Sequence, residues 1–428
     1  MLKIDASLPH WDSHNDDERR QHMAIRVTAS RLLAALVVLT SLPSASALGA
    51  IIALPKYNVS VEEVSVSGFS SGAHMAAQMH FAYSKTIRKG AGIVAGGPVY
   101  CSQGNVAISV GPCMANTGSR NLPYLMSVVN TWSGNGYIDP TGNMSASRVY
   151  LLSGTIDSTV RQPVMDDLKT MYANYLPAAN IYYKNNLAAE HAVPTDFFGN
   201  GCSVNGSPYL NNCNFDTAGE ILKWIYGTLN TKNTGTLSGS FINFDQSAFW
   251  GNFNPGTYSM ASSGYAYVPA ACTAGQACRL HVAFHGCLQS ASVAGTAFYQ
   301  NAGYNRWADT NRIVVLYPQT IATTNNPGGC WDWWGYEDVN FPGKSGGQMV
   351  AIKTMIDKIV GGNTAAPFTC SHWYASNYAH VANGRAYIGT DGQVYAVNSN
   401  QYLGYYLTTA YTDVRRTSAG YYAYGSCS

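Results

Sequence analysis

The stretch VSVSGFSSGAHMAAQ, residues 64–78, decides the fold of this chain. Its first residues form an alternating apolar run that predicts a buried strand, and residues 73–79 contain helix formers without a breaker. Between them lies Gly-Phe-Ser-Ser-Gly, and a G-x-S-x-G sequence between a strand and a helix is typical of a nucleophile elbow. Such a turn exposes the hydroxyl of its middle residue, here Ser70. An ordinary strand-to-helix turn is the alternative, because the chain is rich in Gly and Ser.

The composition of the chain argues against two kinds of partner. Only 11% of the 428 residues are charged, against an average of about 25%, and the net charge is +2 without a basic run. Nucleic acids and acidic membranes are therefore not expected to bind. The 30 tyrosines would suit adsorption to an uncharged or hydrophobic material, although the neutral surface of any secreted protein would look the same.

The N-terminus has the features of an export signal. From Met23, a positively charged segment leads into the apolar run 32–39, which is too short to span a bilayer. Ala-Ser-Ala at 45–47 matches a signal-peptidase site. We therefore predict that residues 1–47 are an N-terminal extension and a secretory signal peptide. The sequence leaves open whether Met1 or Met23 is the true start, and the position of the signal favours Met23. The mature chain is expected to be extracellular, monomeric and free of the membrane after cleavage.

Ten cysteines fit an exported protein, and most of them form near pairs in the sequence. This spacing favours local disulfides, although it leaves the connectivity open. The expected pairs are Cys101–Cys113, Cys202–Cys213, Cys272–Cys278, Cys287–Cys330 and Cys370–Cys427. No C-x-x-C pair or His/Cys cluster has the spacing of a zinc site, so we predict no structural metal and no cofactor.

Beyond the elbow, strand and helix patterns alternate, which predicts an α/β fold with a mostly parallel sheet flanked by helices. Predicted strands lie at 90–97, 148–152, 181–184, 279–284 and 312–317, and predicted helices at 161–176, 218–229 and 346–360. Residues 118–143 are expected to be irregular. We assign residues 48–360 to one catalytic domain, 361–369 to a linker and 370–428 to a small β-rich module. That module is either a structural appendage or a surface for adsorption.

Ser70, Asp157 and His191 are the candidate catalytic residues. They follow successive predicted strands, at positions that share the carboxyl edge of a parallel sheet. Serine, aspartate and histidine also occur in the chain order of an α/β-hydrolase triad. Weaker candidates lie in helical patterns, beyond the main fold or beside the centre of the motif: Asp166, Asp167, His74, His80, His372, His380 and Ser71.

In an α/β-hydrolase the loop that binds the oxyanion usually precedes the nucleophile, but the predicted mature chain has too few residues before the elbow strand to form it. Downstream, RLHVAF at 279–284 predicts a buried strand, and His-Gly-Cys follows at 285–287. A His-Gly loop after such a strand is the type that lends a backbone N–H to the oxyanion. We therefore predict a circularly permuted α/β-hydrolase in which the N–H groups of Ser71 and Cys287 are the oxyanion donors. A plain turn after the strand is the alternative.

Three tryptophans, Trp331, Trp333 and Trp334, lie in the loop CWDWWGY at 330–336. A Cys287–Cys330 disulfide would hold this loop beside the oxyanion donors. We expect the three side chains to be partly exposed and to form the wall of an apolar substrate pocket, with a capping hydrophobic cluster as the alternative. Asp332 is expected to be a structural hydrogen-bond acceptor.

Together these motifs resemble the extracellular poly(3-hydroxybutyrate) depolymerases that have a permuted catalytic domain. The matching segments are VSVSGFSSGAHMAAQMHFAYS, GAGIVAGGPVYC, SGTIDSTV, AEHAVPT, RLHVAFHGCLQS and NPGGCWDWWGY, spread over residues 59–360. The resemblance implies Ser70 as nucleophile, with Asp157 and His191 as partners and Cys287 as oxyanion donor. It also implies attack on a solid polyester, which releases 3-hydroxybutyrate and its oligomers, and contacts of the polymer chain with the tryptophan loop.

Two other functions stay open from the sequence. A related secreted carboxylesterase that acts on feruloyl or acetyl esters of polysaccharides, or on soluble esters, would share the triad and differ in its pocket. A non-catalytic surface-binding protein with a degenerate fold is the other, and the intact set of Ser70, Asp157 and His191 argues against it.

Overall fold

A computed structural model describes residues 50–251, 253–361, 371–418 and 421–427 of the chain. The predicted signal peptide, almost all of the predicted linker and Cys370 lie outside the described residues. Within the described ranges, no helix is both long enough and apolar enough to cross a membrane.

The strands and helices follow the α/β order that the sequence predicts. The strands are β1 Val59–Phe69, β2 Gly90–Val94, β3 Arg148–Gly154, β4 Ile181–Leu187, β5 Val193–Thr195, β6 Asn200–Gly201, β7 Leu210–Asn212, β8 Ser240–Asp245, β9 Ser263–Val268, β10 Cys278–Phe284, β11 Ile313–Tyr317, β12 Ser371–Ser376, β13 Ala386–Ile388, β14 Gln393–Ala396, β15 Tyr402–Tyr405, β16 Tyr411–Ser418 and β17 Tyr421–Tyr424. The α-helices are α1 Ser71–Ala82, α2 Val106–Val110, α3 Leu122–Asn135, α4 Gln162–Ala173, α5 Thr217–Tyr226, α6 Ala270–Thr273, α7 Ala291–Ala294, α8 Ala297–Asn301, α9 Tyr304–Asn311, α10 Gly347–Val360 and α11 Asn377–Ala382.

The central sheet has eight strands in the order β4-β3-β2-β1-β10-β11-β9-β8. All pairs from β4 to β11 are parallel, and β9 and β8 extend one edge antiparallel. The first strand of the chain therefore lies in the middle of the sheet, directly beside the late strand β10. This arrangement confirms the predicted fold, a circularly permuted α/β-hydrolase.

Both faces of the sheet are covered by helices, because the central strands are apolar on both sides. On one face, residues such as Val66 and Leu151 pack with α1, α4 and α10. On the other, residues such as Tyr150 and Leu152 pack with α5 and α9. The two apolar layers hold the carboxyl ends of β1, β3, β4 and β10 along one edge of the sheet.

The expectation that residues 118–143 are irregular is wrong. This segment contains α3, whose first turn is capped by the side chain of Asn121 and includes Pro123, a residue tolerated near a helix start. Leu125 and Val129 lie four residues apart and are buried, while the Ser, Thr and Asn residues of the helix face outward and obscure the helical period. The antiparallel strands β9 and β8, the last two at one side of the sheet, were also not predicted.

The C-terminal residues form two small antiparallel sheets, in the orders β12-β16-β17 and β13-β14-β15. Their shared core consists of Ala386, Val394, Ala396, Leu403 and Val414. Several tyrosines of this region are exposed, among them Tyr374 and Tyr405. The β-rich character predicted for this part of the chain is therefore present.

Candidate active site

The elbow holds Ser70 in a conformation that few L-residues adopt, with φ 55° and ψ −119°. Such strained residues are concentrated at functional sites. The two flanking glycines make the turn possible, because there is no space for a side chain at either position. A Cβ on Gly68 would lie 1.9 Å from the carbonyl oxygen of Gly72, and one on Gly72 would lie 2.3 Å from that of His285. The Ser70 hydroxyl therefore lies between the end of β1 and the start of α1.

The imidazole of His191 lies between Ser70 and Asp157. Its Nε2 is 3.0 Å from Ser70 Oγ, and its Nδ1 is 2.9 Å from Asp157 Oδ2. The second carboxylate oxygen of Asp157 accepts the backbone N–H groups of Thr159 and Val160 at 2.9 and 2.8 Å. Because an ionised carboxylate only accepts hydrogen bonds, Nδ1 carries the imidazole proton and Nε2 is left to accept the proton of Ser70.

The sheet brings these three residues together from distant parts of the chain. Ser70 follows β1, Asp157 follows β3, and His191 lies in the loop between β4 and β5. All three side chains are buried. The arrangement can deprotonate a serine hydroxyl and stabilise the imidazolium that results, which is the chemistry of a serine hydrolase.

Cys287 lies beside the elbow, because β10 pairs with β1 in parallel and ends next to Ser70. A Cβ on Gly286 would lie 3.3 Å from Ser70 Cβ. In the described part of the chain, neither the Ser71 nor the Cys287 backbone N–H donates a hydrogen bond to another residue. Both groups are therefore available to a developing oxyanion.

A cavity of about 200 Å³ opens beside Ser70. It is mainly apolar, and it is lined by Ser70, Ser71, His74, Val106, Ser109, Val110, Met114, Val160, Cys287, Cys330, Trp333 and Trp334. The ring of His74 stacks on that of Trp333 with centroids 3.9 Å apart. Burial lowers the pKa of His74 to about 3, so this wall of the cavity is uncharged.

The structure corrects the role expected of Trp331. Its side chain is fully buried and does not line the cavity: its indole Nε1 donates to the carbonyl oxygen of His285 at 3.0 Å, and its ring packs edge-on against Phe284. Trp331 therefore holds the loop 285–287 through its hydrogen bond to His285. Trp333 is also buried, but it faces the cavity together with Trp334.

Four disulfides have both of their cysteines within the described residues: Cys101–Cys113, Cys202–Cys213, Cys272–Cys278 and Cys287–Cys330. The last of them joins the loop 285–287 to the tryptophan loop. The expected Cys370–Cys427 pair cannot be placed, because Cys370 lies outside the described residues. No group of three or more His, Cys, Asp or Glu side chains suited to a metal ion occurs within the described ranges.

The weaker catalytic candidates lie away from Ser70, with the exceptions of Ser71 and His74. Asp166 accepts the hydroxyl of Tyr183, and Asp167 pairs with Arg120. His80 is buried on α1, His372 lies in strand β12, and His380 lies in helix α11.

Sequence reasoning assigned no role to Glu190, and it ranked His74 only among the weaker catalytic candidates, although His74 lines the cavity. His74 is four residues after Ser70, so the helical period could have placed it on the same face of α1. Glu190 directly precedes His191, and its carboxylate contacts the loops of both Asp157 and His191.

The fold and the Ser70–His191–Asp157 geometry define a serine hydrolase of the α/β-hydrolase class. No family profile matches the chain. The chain is 39% identical over 473 residues to a poly(3-hydroxybutyrate) depolymerase of Delftia acidovorans, covering 87% of this chain and 94% of that protein. It is 44% identical over 325 residues to a polyhydroxybutyrate depolymerase of Talaromyces funiculosus, covering 72% and 93%. The chain therefore belongs to the poly(3-hydroxybutyrate) depolymerase family.

Solved structures agree with these sequence relatives. A PHB depolymerase from Penicillium funiculosum superposes with a TM-score of 0.68 at 43% identity, covering 72% of this chain and 99% of its own. A second structure with the same figures is a serine-to-alanine variant of PHB depolymerase in complex with an R3HB trimer.

Proposed function

We propose that this protein is a secreted esterase that hydrolyses the ester bonds of poly(3-hydroxybutyrate) through an acyl-enzyme on Ser70. The observation that carries the proposal is the His191 imidazole, which lies within hydrogen-bond distance of both Asp157 Oδ2 and Ser70 Oγ. Ser70 in turn lines an apolar cavity. The depolymerase relatives, and the trimer bound to one of them, support the choice of substrate.

In the first half of the reaction, Ser70 Oγ attacks the carbonyl carbon of an ester while His191 Nε2 takes its proton. The negative charge that develops on the carbonyl oxygen is stabilised by the N–H groups of Ser71 and Cys287. His191 then donates the proton to the alkoxide oxygen of the next monomer as the ester C–O bond breaks, which gives its new hydroxyl end, and the acyl group stays on Ser70. Asp157 stabilises the imidazolium in both steps.

In the second half, His191 takes a proton from water, which attacks the acyl carbon. The Ser70–acyl bond breaks, and His191 returns the proton to Ser70 Oγ. Each cycle therefore yields one new hydroxyl end and one new carboxylate end. Trp333, Trp334, Val106 and Val110 would contact the methyl-bearing polyester chain, because they form apolar parts of the cavity wall.

Export is the second part of the proposal. The predicted signal peptide and the four disulfides support a secreted enzyme, since disulfides persist in oxidising compartments. A solid polymer cannot enter the cell, so an enzyme that acts on it must reach the outside.

Clearing of a poly(3-hydroxybutyrate) suspension tests the function. The wild type is expected to clear the suspension, while Ser70→Ala loses several orders of magnitude in rate and still adsorbs, because loss of a triad member leaves only ~10³–10⁴-fold catalysis over water. Ser60→Ala, an exposed serine at the start of β1, is the matched control and should clear normally.

Two results would contradict the proposal in different ways. Hydrolysis of feruloyl or acetyl-xylan esters without clearing would identify the related carboxylesterase instead. An unchanged rate in Ser70→Ala would show that the nucleophile is wrongly assigned.

A further inference from the structure

One oxygen of Glu190 accepts hydrogen bonds from four donors. They are Ser158 N at 2.7 Å, Ser158 Oγ at 2.6 Å, His191 N at 3.0 Å and Asn205 Nδ2 at 3.3 Å. Serine proteases and esterases need only the aspartate to orient the histidine, so this second carboxylate has no place in the triad itself.

The four donors belong to three separate segments around the site. Ser158 is the residue after Asp157 in the loop that follows β3, and His191 is the residue after Glu190. Asn205 lies in the segment closed by the Cys202–Cys213 disulfide. A single carboxylate oxygen therefore joins the loop of the catalytic acid to the loop of the catalytic base and to a covalently closed third segment.

Asn205 reinforces this connection. Besides Glu190, its amide donates to Ser158 Oγ at 3.1 Å and to Thr159 Oγ1 at 3.0 Å. The backbone N–H of Glu190 also donates to the carbonyl oxygen of Cys202 at 2.9 Å. The loop of His191 is thus held by the main chain of Glu190 and also by the Glu190 side chain.

The ionised form of Glu190 is the one that makes these bonds. Partial burial raises the pKa of Glu190, but the hydrogen bonds from Ser158 and from the His191 N–H outweigh burial, and the pKa lies below its ordinary value. Hydrogen bonds to a charged acceptor are shorter and stronger than neutral ones, so the connection is firm at neutral pH.

We propose that Glu190 is a positioning residue that fixes the distance between the Asp157 and His191 loops and so keeps His191 Nε2 aligned with Ser70 Oγ. It does not line the cavity beside Ser70, and its hydrogen bonds go to Ser158, Asn205 and the main chain of His191. The proposal rests on the esterase function above, since it assigns a role within that triad. A displacement of about 1 Å in such a site can reduce a rate by about 10²-fold.

Three single variants and one double variant, measured with the soluble ester p-nitrophenyl butyrate, test the proposal. Glu190→Ala is expected to lower kcat by about 10- to 100-fold with KM within about threefold, because alignment and not binding is lost. Glu190→Gln keeps an acceptor oxygen and should recover to within about fivefold of wild type. Asn205→Asp places a second carboxylate against Glu190 and should lower kcat, and adding Glu190→Gln should restore it, since one of the two charges is removed.

Glu62→Gln is the matched control, because Glu62 is an exposed, ion-paired glutamate at the opposite end of β1. Its kcat should stay within about twofold of wild type. The thermal midpoint of each variant and the rate at which a phosphonate labels Ser70 are measured alongside, so that misalignment is separated from unfolding.

The proposal is overturned if Glu190→Ala keeps kcat within twofold of wild type. It is equally overturned if kcat falls only in step with the thermal midpoint and Glu190→Gln restores nothing, because Glu190 would then be merely structural. If Glu190→Ala does not fold, the two isosteric substitutions Glu190→Gln and Asn205→Asp test the proposal without it. An inactive wild type, or an active Ser70→Ala, would instead refute the esterase function.

Discussion

At the scale of single residues, Asp332 shows how one buried acceptor shapes the wall of the cavity. Its Oδ1 accepts the backbone N–H groups of Gly335 and Tyr336, and its Oδ2 accepts those of Glu337 and Asp338. The tryptophan loop is thus folded around one carboxylate, as the sequence-based expectation of a structural acceptor proposed. Trp333 and Trp334 reach the cavity from this loop.

We expect Asp332→Asn to weaken the loop. The new amide keeps one acceptor oxygen but turns an NH₂ toward two N–H donors, which leaves buried donors unpaired at a cost of about 1–3 kcal/mol. The free energy of unfolding should fall by that amount, and KM for soluble esters should rise as the tryptophans shift. Asp166→Asn, on the exposed side of α4, should change stability by no more than about 0.5 kcal/mol. Unchanged stability and KM in Asp332→Asn would contradict this account.

At the scale of secondary-structure elements, the close contact of α1 with β10 decides where the nucleophile lies. Gly72 is packed against the carbonyl groups of Phe284 and His285, at the point where β10 leads into the loop 285–287. The absence of a side chain at Gly72 thus lets the start of α1, directly after Ser70, approach this loop closely.

Gly72→Ala should therefore damage both stability and activity. The added methyl group would lie 2.3 Å from a backbone oxygen that cannot move alone, so α1 and β10 must separate. Overpacking of this kind costs about 1–3 kcal/mol or more, and activity should fall with it. Gly134→Ala is the control, because a Cβ at that position of α3 meets no atom within 4 Å and should stabilise the helix by up to about 1 kcal/mol. Denaturant unfolding measures stability, and ester hydrolysis measures activity. If Gly72→Ala and Gly134→Ala had the same stability and activity, the close contact of α1 with β10 would be refuted.

At the scale of the whole molecule, the buried histidines make the free energy of unfolding depend on pH. Burial lowers the pKa of each of these side chains to about 3 or about 4: His74, His80, His281 and His285. His281, for example, lies between the hydroxyls of Ser65 and Ser67 inside the sheet. All four are neutral in the folded protein at neutral pH.

The free energy of unfolding should therefore fall steeply in acid. The folded-state pKa values lie below the ordinary 6.5, so the stability that these histidines contribute is present above pH 6.5 and is lost as the pH falls toward 4. Each histidine can contribute about 1.4 kcal/mol per pH unit, and four together about 5 kcal/mol per pH unit near pH 5. Urea unfolding at pH 7 and pH 5 measures the slope, and His74→Phe should reduce it by about a quarter. A free energy that stays constant from pH 7 to pH 5 would contradict the prediction.

The connectivity of the molecule also belongs to this scale. The backbone N–H of Tyr57, just before β1, donates to the carbonyl oxygen of Ile359 at the end of α10. The beginning and the end of the hydrolase fold therefore meet, which is the geometry that a circular permutation requires.

The elbow, the order of Ser70, Asp157 and His191, and the His-Gly-Cys loop can all be read from the amino-acid sequence. These features depend on local requirements: glycines where backbones touch, and short apolar runs that form buried strands. The contact of Trp331 with the loop 285–287, the cavity wall formed by Trp333 and Trp334, the helix α3 and the Glu190 connection become visible only in the folded protein. The reason is physical, since burial, hydrogen-bond partners and cavity walls are set by residues that are far apart in the chain and meet only when the sheet is assembled.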